Sequence, residues 1–534
     1  MAAIRTTVAI IGGGPVGLAL ANELGWRGIG CVVIERNTEL VDFPTCESVN
    51  ARTLEHFRRW GIADSVRNAG FPPDVPRNVR FMTRILGHEL LCFERPSNRD
   101  FQQQFGHVTP EAGIWCPRML FEPVMRDRLL RFSNVIHLPG CEATTFEAGA
   151  EGVTIQARML ADEAPLTIEC SYLAGCDGAA SETRKRLGIA MQGSFAEGHN
   201  VTVYFESAAL RDALAGKPGV MMDIVNPDAR ANLSAVDGDA RWRLIEHARA
   251  DEPLDPERRV RTALGRDLPF TVLGARAWAG HRVVAERMRA GRVFLVGDAA
   301  HLLWPRGGFG MNTGIGDAVD LGWKIAAVQD GWGGPVLLDS YAIERRPVAA
   351  RNVEEAASNR AEDASLPIAP EIEDDTPAGA AARSALAAVI RDKRAKEWNS
   401  LGIQLGYRYD PSPIVVPDGS TPPPDSPTDY VPGTWPGARA PHAWLAPGRS
   451  TLDLFGDGFV LMVGHPAPAV APLERAAEVC RLPLRVERIA DPAIAAAYPA
   501  PLVLVRPDGH VAWRGAALPA DCAALVDAVR GALT

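Results

Sequence analysis

The sequence predicts an α/β protein that combines a βαβ unit, a mostly antiparallel sheet and a small C-terminal α/β unit. The first observation is a short apolar run at Thr7 to Ile11, followed by helical spacing from Pro15 to Trp26 and a second apolar run at Cys31 to Glu35. Strand, helix and strand in this order predict a βαβ unit. The second observation is that β-like runs recur between 135 and 173 and between 201 and 284 without regular crossover helices, which favours antiparallel pairing.

The third observation is a second strand-to-helix junction. The apolar run RVFLVGD, at Arg292 to Asp298, leads into a glycine-rich loop and then into a predicted helix from about Gly314 to Gln329. Further helices are expected from Arg345 to about Arg360 and in an alanine-rich stretch that ends near Trp398. Beyond a proline-dense stretch at Asp410 to Pro441, short apolar runs alternate with helical runs, which predicts a separate α/β unit.

The composition excludes several classes of protein. The chain has 534 residues, of which 47% are hydrophobic and 23% charged, a balance typical of globular proteins. Its formal charge of −9 argues against a nucleic-acid partner, since such proteins normally present a net basic face. The nine cysteines show neither a CxxC pair nor a zinc-binding spacing, so we expect reduced thiols, no metal site and a cytoplasmic location. Glycines and Glu23 interrupt the apolar N-terminal stretch, and no run approaches the ~18 apolar residues of a membrane span, so neither a signal sequence nor a membrane partner is expected.

The glycines between the first strand and the first helix have a GxGxxG spacing. Gly12 permits a tight turn, Gly14 lets the backbone approach a pyrophosphate, and Gly17 lets helix and strand pack closely. The start of the helix favours phosphate charge, and Glu35 is placed to accept a hydrogen bond from a ribose hydroxyl. This pattern predicts dinucleotide binding without distinguishing FAD from NAD. The predicted binding residues of this loop are Gly12, Gly14, Pro15, Val16 and Gly17.

Two later segments narrow the choice of cofactor. Residues Tyr172 to Arg184 read YLAGCDGAASETR, and Arg292 to Lys324 read RVFLVGDAAHLLWPRGGFGMNTGIGDAVDLGWK. With the N-terminal fingerprint, these segments resemble the three signatures of the p-hydroxybenzoate hydroxylase-like flavoprotein monooxygenases, a family that includes phenol, resorcinol and polyketide hydroxylases. The resemblance covers roughly residues 5 to 360. Three motifs in the right order and at the right separations make it specific.

The resemblance implies further contacts to FAD. Asp298 is expected to bind the ribityl or ribose part of FAD, and Asp177 is expected near FAD with a part in binding the nicotinamide nucleotide. For Asp177 a purely structural turn is the rival interpretation. Gly310, Met311 and Asn312 match the loop whose backbone amides face the pyrimidine edge of the flavin, where a helix N-terminus would stabilise negative charge on the reduced ring.

Two positions depart from the family pattern. The basic residue that commonly follows the ribose-binding glutamate is replaced by Thr45, and either Arg36 or Arg52 is expected to supply the lost charge. The glutamine that often precedes the following helix is Arg118, which is expected to donate to an FAD phosphate through its guanidinium group. For Arg118 a surface position is the alternative interpretation.

The resemblance also implies the reaction. NADH or NADPH would bind transiently and reduce the flavin, and a flavin 4a-hydroperoxide would transfer one atom of O₂ to an aromatic, phenolic ring. Pro305 falls where the family lines the substrate pocket beside the flavin and is the predicted catalytic-site residue, whereas Trp304 replaces the first proline of the usual pair. A base or polar relay that favours the phenolate is expected, but the sequence does not identify it.

The expected domain organisation follows from the same resemblance. An FAD-binding domain interleaves with a substrate-binding domain, and the C-terminal extension resembles that of phenol-hydroxylase-type members, which carry a thioredoxin-like domain. Since no CxxC is present, we expect a structural or homodimer-contact role for this domain. The expected ranges are about 1–80, 110–190 and 285–400 for the FAD-binding domain within 1–400, about 81–109 and 191–284 for the substrate-binding domain, 401–440 for a proline-rich linker and 441–534 for the thioredoxin-like domain.

Other functions stay open at this point. A flavin oxygenase acting on a non-phenolic or polycyclic substrate, by Baeyer–Villiger insertion or by modifying an antibiotic, would share the fold and the motifs. A non-catalytic FAD-binding scaffold would share them too, and oxidation of NADH or NADPH distinguishes it from an enzyme. A flavin-dependent halogenase is disfavoured because the WxWxIP signature is absent.

Overall fold

The computed structural model describes residues 3–466 and 468–532, which form three large sheets with helices packed against them. The strands are β1 (Ile4–Ile11), β2 (Cys31–Glu35), β3 (Ser48–Val49), β4 (Val79–Met82), β5 (Glu89–Phe93), β6 (Ile114–Trp115), β7 (Val135–Pro139), β8 (Cys141–Ala148), β9 (Val153–Met159), β10 (Pro165–Gly175), β11 (Met191–Glu206), β12 (Met221–Val225), β13 (Arg230–Ala235), β14 (Arg241–Ala248), β15 (Thr271–Ala285), β16 (Arg289–Ala290), β17 (Val293–Leu295), β18 (His301–Leu302), β19 (Trp444–Ala446), β20 (Arg449–Ser450), β21 (Phe459–Val463), β22 (Leu484–Arg488), β23 (Leu502–Val505) and β24 (Val511–Gly515). The helices are α1 (Pro15–Trp26), α2 (Ala51–Arg59), α3 (Ala63–Arg67), α4 (Asn98–Phe105), α5 (Arg118–Leu129), α6 (Glu182–Arg186), α7 (Ala208–Ala213), α8 (Pro256–Leu264), α9 (Gly310–Gln329), α10 (Ser340–Ala364), α11 (Pro377–Trp398), α12 (Leu401–Leu405), α13 (Ala471–Val479), α14 (Pro492–Ala497) and α15 (Cys522–Val529). Among these helices, none is both long enough and apolar enough to cross a membrane.

The first large sheet is built around β1. Its strand order is β16-β17-β10-β1-β2-β7, and β9 and β8 extend it from β10. Strand β1 pairs in parallel with both β2 and β10. The side chains of Val8, Ala9 and Ile10 are fully buried, as expected of a central strand covered on both faces. The predicted βαβ unit is confirmed, although β1 begins at Ile4 and not at Thr7.

The second large sheet has the order β18-β15-β11-β14-β13-β12-β4-β5. Its strand pairs are antiparallel except for β12 with β4, so the predicted mostly antiparallel sheet is confirmed. Helix α11 covers one end of it, where Leu386 and Ile390 pack with Val79 and Phe81. The expected domain ranges place α11 with the FAD-binding part, and those ranges stay a prediction.

One segment connects the two sheets directly. Strand β17 lies in the first sheet and β18 lies in the second, and only a short turn separates them along the chain. The glycine-rich loop that follows β18 therefore lies where the sheets meet, and α9 begins there at Gly310. The predicted start at about Gly314 is one turn late, because side-chain contacts of Asn312 hold the additional turn.

The C-terminal unit contains the third sheet, with the order β22-β21-β23-β24. Strands β21 and β22 are parallel, whereas β23 is antiparallel to both β21 and β24. A parallel βαβ pair joined to an antiparallel hairpin is compatible with a thioredoxin-like fold, and that classification stays a prediction. The apolar core of this unit includes Trp323 of α9, so the unit packs directly on the helix that begins at the glycine-rich loop.

A buried ionic cluster joins the C-terminal unit to α9 and α10. Arg506 lies 2.6 Å from Glu344, 2.7 Å from Asp508 and 3.2 Å from Asp320, measured between nitrogen and oxygen atoms. Lys324 lies 2.7 Å from Asp320 and 2.6 Å from Glu344. All five side chains are almost completely inaccessible to solvent, so each charge depends on its neighbours for compensation.

We predict that Arg506→Met lowers the free energy of unfolding by about 3–5 kcal/mol, because buried Asp508 then loses its arginine partner and Asp320 and Glu344 keep only Lys324. Urea unfolding followed by tryptophan fluorescence measures the change. Arg488 lies exposed on the same sheet, so Arg488→Met should change stability by less than about 0.5 kcal/mol. Equal losses in the two variants would contradict a special role of the cluster.

Candidate active site

Two glycines at the junction of β1 and α1 leave no room for a side chain. Gly12 has a φ of +106°, and a Cβ atom there would overlap the carbonyl oxygen of Cys176 at the end of β10. A Cβ atom on Gly17 would overlap the carbonyl oxygen of Gly12. The first and third glycines of the fingerprint are therefore required by packing within the protein itself.

The middle glycine of the fingerprint differs from the other two. A Cβ atom on Gly14 would meet no protein atom closer than the Nη2 atom of Arg118, at 3.8 Å. Gly14 thus borders open space at the start of α1, as a pyrophosphate site requires. Arg118 lies beside this space and forms two hydrogen bonds of 2.7 and 2.9 Å with Glu122, which fix its guanidinium group. Arg118 is partly buried at this loop, and its contact with an FAD phosphate stays a prediction.

Glu35 lies against the same loop at the end of β2. Its carboxylate accepts a hydrogen bond of 2.6 Å from the amide of Gly13 and others from Asn37. Arg36 is exposed and forms no ion pair within the described residues. Arg52 instead pairs with Glu55 and donates to the carbonyl oxygen of Asp508 in the C-terminal unit. Of the two candidates for the missing basic residue, Arg36 is therefore the one that keeps a free guanidinium group.

Helices α1 and α9 meet at Val16. A Cβ atom on Gly314 would lie 2.6 Å from the Val16 side chain, and one on Gly297 would lie 3.0 Å from it. Val16 thus packs its side chain against the start of α9 and leaves its backbone at the first turn of α1. Next to Gly297, Asp298 lines the cavity, and its carboxylate forms neither a hydrogen bond nor an ion pair with any residue that the structure describes. This carboxylate is free to accept hydrogen bonds from hydroxyl groups of a ligand.

The first turn of α9 presents unpaired backbone amides. The first amide that finds an acceptor in the backbone is that of Thr313, which donates to Phe309, as expected at a helix N-terminus. The amides of Gly310 and Met311 lie at the cavity, and a Cβ atom on Gly310 would meet no atom within 4 Å. A negatively charged group would be stabilised in this space by the amides and the helix dipole.

The side chains of Asn312 and Asp177 have structural partners. Asn312 accepts from the amide of Asn50 at 3.0 Å and donates to the carbonyl oxygen of Ser48 at 2.9 Å, which ties α9 to β3 and α2. Asp177 accepts from Ser181 at 2.6 Å and from the amide of Thr183 at 2.9 Å, which caps α6. These contacts give Asp177 the structural role considered above, and its contact with a cofactor stays a prediction.

A cavity of about 340 Å³ lies between the glycine-rich loop and the second sheet. Pro305 is exposed to it, and Trp304 is buried beside it, with the indole ring laid over the backbones of Gly198 and Gly280. The indole NH groups of Trp304 and Trp278 are satisfied by Glu197 and Thr202, so the rings present apolar faces. The aromatic residues that line the cavity are Phe101, Trp115, Trp278, Trp304, Phe309 and Trp398.

Several polar residues of the cavity were missed in the sequence. Apart from Arg306, which follows Pro305 in the third signature segment, they belong to segments without a motif and meet only in the fold. They are Arg77, Arg95, Asn200, Arg243, His247, Arg306 and Arg360. Burial, assisted by the nearby Arg360, lowers the pKa of His247 to about 3, so this imidazole is neutral at physiological pH. The alternating positions Arg243, Ile245 and His247 share one face of β14, and this period of two was the available signal.

These features fit FAD. The N-termini of α1 and α9 lie beside one another, and Gly14 and Gly310 leave open space there. The carboxylate of Asp298 lies at this space, and the aromatic residues of the cavity continue from the start of α9. The geometry therefore defines a flavoprotein with its substrate cavity between two sheets.

Comparisons with known proteins agree with this description. The family model described as "FAD binding domain" matches residues 5–356, and the one described as "Aromatic-ring hydroxylase, C-terminal" matches residues 433–533. The FAD-dependent monooxygenase apdD of Emericella nidulans is 32% identical, with 95% of this chain and 87% of the relative covered. The rebeccamycin biosynthetic enzyme RebC with reduced flavin has a TM-score of 0.94 and 38% identity, with 100% of both chains covered. A complex of aklavinone-11 hydroxylase with FAD and aklavinone has a TM-score of 0.83 and 28% identity, with 99% of this chain and 100% of that chain covered.

The chain belongs to the FAD-dependent aromatic-ring hydroxylases, the family of p-hydroxybenzoate hydroxylase-like flavoprotein monooxygenases. It is accordingly a monooxygenase that acts on aromatic compounds, with FAD as cofactor and NADH or NADPH as the co-substrate typical of the family. The resemblance inferred from the three motifs is confirmed.

We predict that Gly14→Ala raises the Kd for FAD at least about tenfold while the stability of the apoprotein changes by less than about 1 kcal/mol, because the new methyl group occupies only the space left for the ligand. Gly17→Ala should destabilise the apoprotein, since its methyl group overlaps the backbone. Flavin fluorescence titration and thermal unfolding measure the two effects. The neutral control is Gly216→Ala, whose methyl group would meet nothing within 4 Å. An unchanged FAD affinity in Gly14→Ala would contradict the assignment of this space to the pyrophosphate.

Proposed function

We propose that this chain hydroxylates a planar aromatic substrate of more than one ring, bound between the glycine-rich loop and the aromatic face of the second sheet. The observation that carries this proposal is the cavity itself. Its volume of about 340 Å³ falls within the range of sites that enclose drug-sized ligands. Tryptophans stand on several of its sides, and a single small ring would leave much of that aromatic surface without a partner.

The residues of the chain bind and position the reactants. Gly14 and the start of α1 would hold the pyrophosphate of FAD, with Arg118 beside it, and Asp298 would accept from hydroxyls of the ribityl or ribose part. The amides of Gly310 and Met311 would face the flavin and favour negative charge on it. When bound, FAD supplies the redox chemistry, accepting electrons from the nicotinamide and activating O₂.

Other residues shape the space in which the substrate reacts. Pro305 borders the cavity next to the loop, and buried Trp304 and Phe309 exclude water from this side of it. His247 is neutral and could exchange a hydrogen bond with a substrate hydroxyl without adding charge. The proposed roles of these residues rest on their positions around one cavity.

The setting and assembly of the enzyme are part of the proposal. All nine cysteines are free thiols, which supports a reducing, cytoplasmic location. A homodimer is suggested by the family resemblance, and size-exclusion chromatography with light scattering tests it.

We predict that phenols with fused rings stimulate NADH or NADPH oxidation by the FAD-loaded protein and are recovered with one added oxygen atom. Oxygen uptake, peroxide formation and the product mass are measured across phenols, hydroxybenzoates and polycyclic phenols. Little peroxide should form, because the cavity shields the reaction from water. If no aromatic compound accelerates flavin reduction, or if all oxygen consumed appears as peroxide, the hydroxylase proposal fails in favour of a scaffold or an oxidase.

We predict that Gly280→Ala raises the KM for the aromatic substrate about tenfold, because the new methyl group would displace Trp304 into the cavity. The Kd for FAD should change by less than about twofold, since Gly280 lies on the second sheet. Trp304→Phe removes the overlapping ring atoms, so the double variant should recover part of the lost affinity. An equal KM in Gly280→Ala and the wild type would show that Trp304 does not set the cavity shape.

A further inference from the structure

Two arginines of the cavity have no acidic partner. Arg77 and Arg95 both line it, and neither forms an ion pair with any residue in 3–466 or 468–532. Arg77 is only 7% exposed and Arg95 is half-buried. The Nη2 atom of Arg77 finds no hydrogen-bond acceptor. The cavity therefore contains positive charge that the protein does not neutralise.

Two other arginines of the cavity have acidic partners, whereas Arg360 forms no ion pair among the described residues and lies over the ring of Trp304. Arg243 pairs with Glu47, and Arg306 lies between Asp223 and Asp363. Burying a guanidinium group without an opposite charge costs free energy, so buried arginines in proteins are usually paired with a carboxylate. The pKa values reflect this cost, since burial lowers the pKa of Arg95 to about 10, and burial together with Arg95 lowers that of Arg77.

The two guanidinium groups share one aromatic ring. The group of Arg77 lies 3.7 Å from the ring centroid of Phe101, and that of Arg95 lies 5.9 Å from it. Arg77 is held in place by a hydrogen bond of 2.7 Å to the carbonyl oxygen of Gly113 and a longer one of 3.3 Å to Pro96. Arg95 makes no side-chain hydrogen bond among the described residues, so its donors remain available to a ligand in the cavity.

This arginine pair is connected to the glycine-rich loop. A Cβ atom on Gly113 would lie 3.2 Å from the backbone of Asn50, whose amide donates to Asn312 at the start of α9. A few backbone contacts thus fix the arginine pair relative to the start of α9, where the flavin is proposed to bind. A rigid ligand that spans the cavity would have its anionic end set at a defined position from the flavin.

We propose that Arg77 and Arg95 form a subsite for a carboxylate carried by the aromatic substrate, so that the substrate class is an arene carboxylic acid. This inference rests on the proposed function, because that function identifies the ligand of the cavity as the substrate that reacts. A carboxylate suits the subsite because it can accept charge-assisted hydrogen bonds from the free Arg95 group while Arg77 compensates its charge. Phe101 then forms the wall beside the ring that bears the carboxylate.

Binding of matched ligands to the FAD-loaded protein tests the subsite without requiring turnover. The pairs are phenol with salicylate, and a naphthol with the corresponding hydroxynaphthoate, titrated against the flavin absorbance. The wild type should bind each acid at least about tenfold more tightly than its neutral partner. In Arg95→Gln this advantage should fall below about twofold, and in Arg95→Lys, which keeps the charge, it should be intermediate.

The control variant is Arg249→Gln, whose arginine is exposed and pairs only with exposed Asp251, and it should keep the wild-type preference. In turnover, Arg95→Gln should raise the KM for acids with kcat changed by less than about twofold, because the lost contact serves binding alone. Equal binding of acids and neutral partners by the wild type would overturn the inference. So would an unchanged advantage in Arg95→Gln.

Three further outcomes distinguish this inference from a nucleotide-binding site and from the proposed function. If Arg95→Gln changes the preference between NADPH and NADH but not the binding of acids, the subsite serves the nucleotide phosphate and the inference is overturned. If the preference for acids depends on Arg95 but no aromatic compound stimulates NAD(P)H oxidation, the subsite stands and the proposed hydroxylation fails. If neutral polycyclic phenols are hydroxylated and acids are not preferred, the proposed hydroxylation stands and the carboxylate subsite is overturned.

Discussion

The close approach of α1 and α9 is the constraint on which the rest of the molecule depends. Both helices start beside the turn after β17, and Val16 of α1 lies against Gly297 and Gly314, where any side chain would collide with it. A side chain at Gly17 would likewise collide with the backbone of Gly12. Because the two N-termini meet here, their unpaired amides and dipoles face one common space. This contact therefore determines where the two large sheets meet and where the cavity lies between them.

Charge is treated differently at the two ends of α9. At the end near the C-terminal unit, Asp320 and Lys324 belong to a cluster in which every buried charge lies within salt-bridge distance of an opposite one. At the cavity, by contrast, Asp298, Arg77 and Arg95 form no ion pair with any residue that the structure describes. Compensated charges hold elements together, whereas uncompensated charges at a cavity are available to ligands, so the same helix serves as an anchor and as part of a binding site.

The sequence was informative where function is encoded locally. The GxGxxG spacing, the acid at Glu35 and the GD motif at Asp298 are each read from a few consecutive residues, and their order along the chain was enough to identify the family. The arginines of the cavity could not be found in this way, because Arg77 and Arg95 lie outside every segment with a recognisable pattern and share the ring of Phe101 only in the fold. Trp304 was recognised as a departure from the family pattern, but the position of its ring was not predictable, since the glycines that accommodate it lie on β11 and β15.

The buried cluster around Arg506 also has a consequence for biosynthesis. Residues of α9 and α10 leave the ribosome well before Arg506 is translated, so in the nascent chain Asp320 and Glu344 have only Lys324 as a buried cation, and Trp323 lacks its apolar cover. Helix α9 cannot reach its final packing until almost the whole chain has been released. We therefore expect stable capture of FAD to follow the synthesis of the C-terminal unit, whose Arg506 completes the buried cluster.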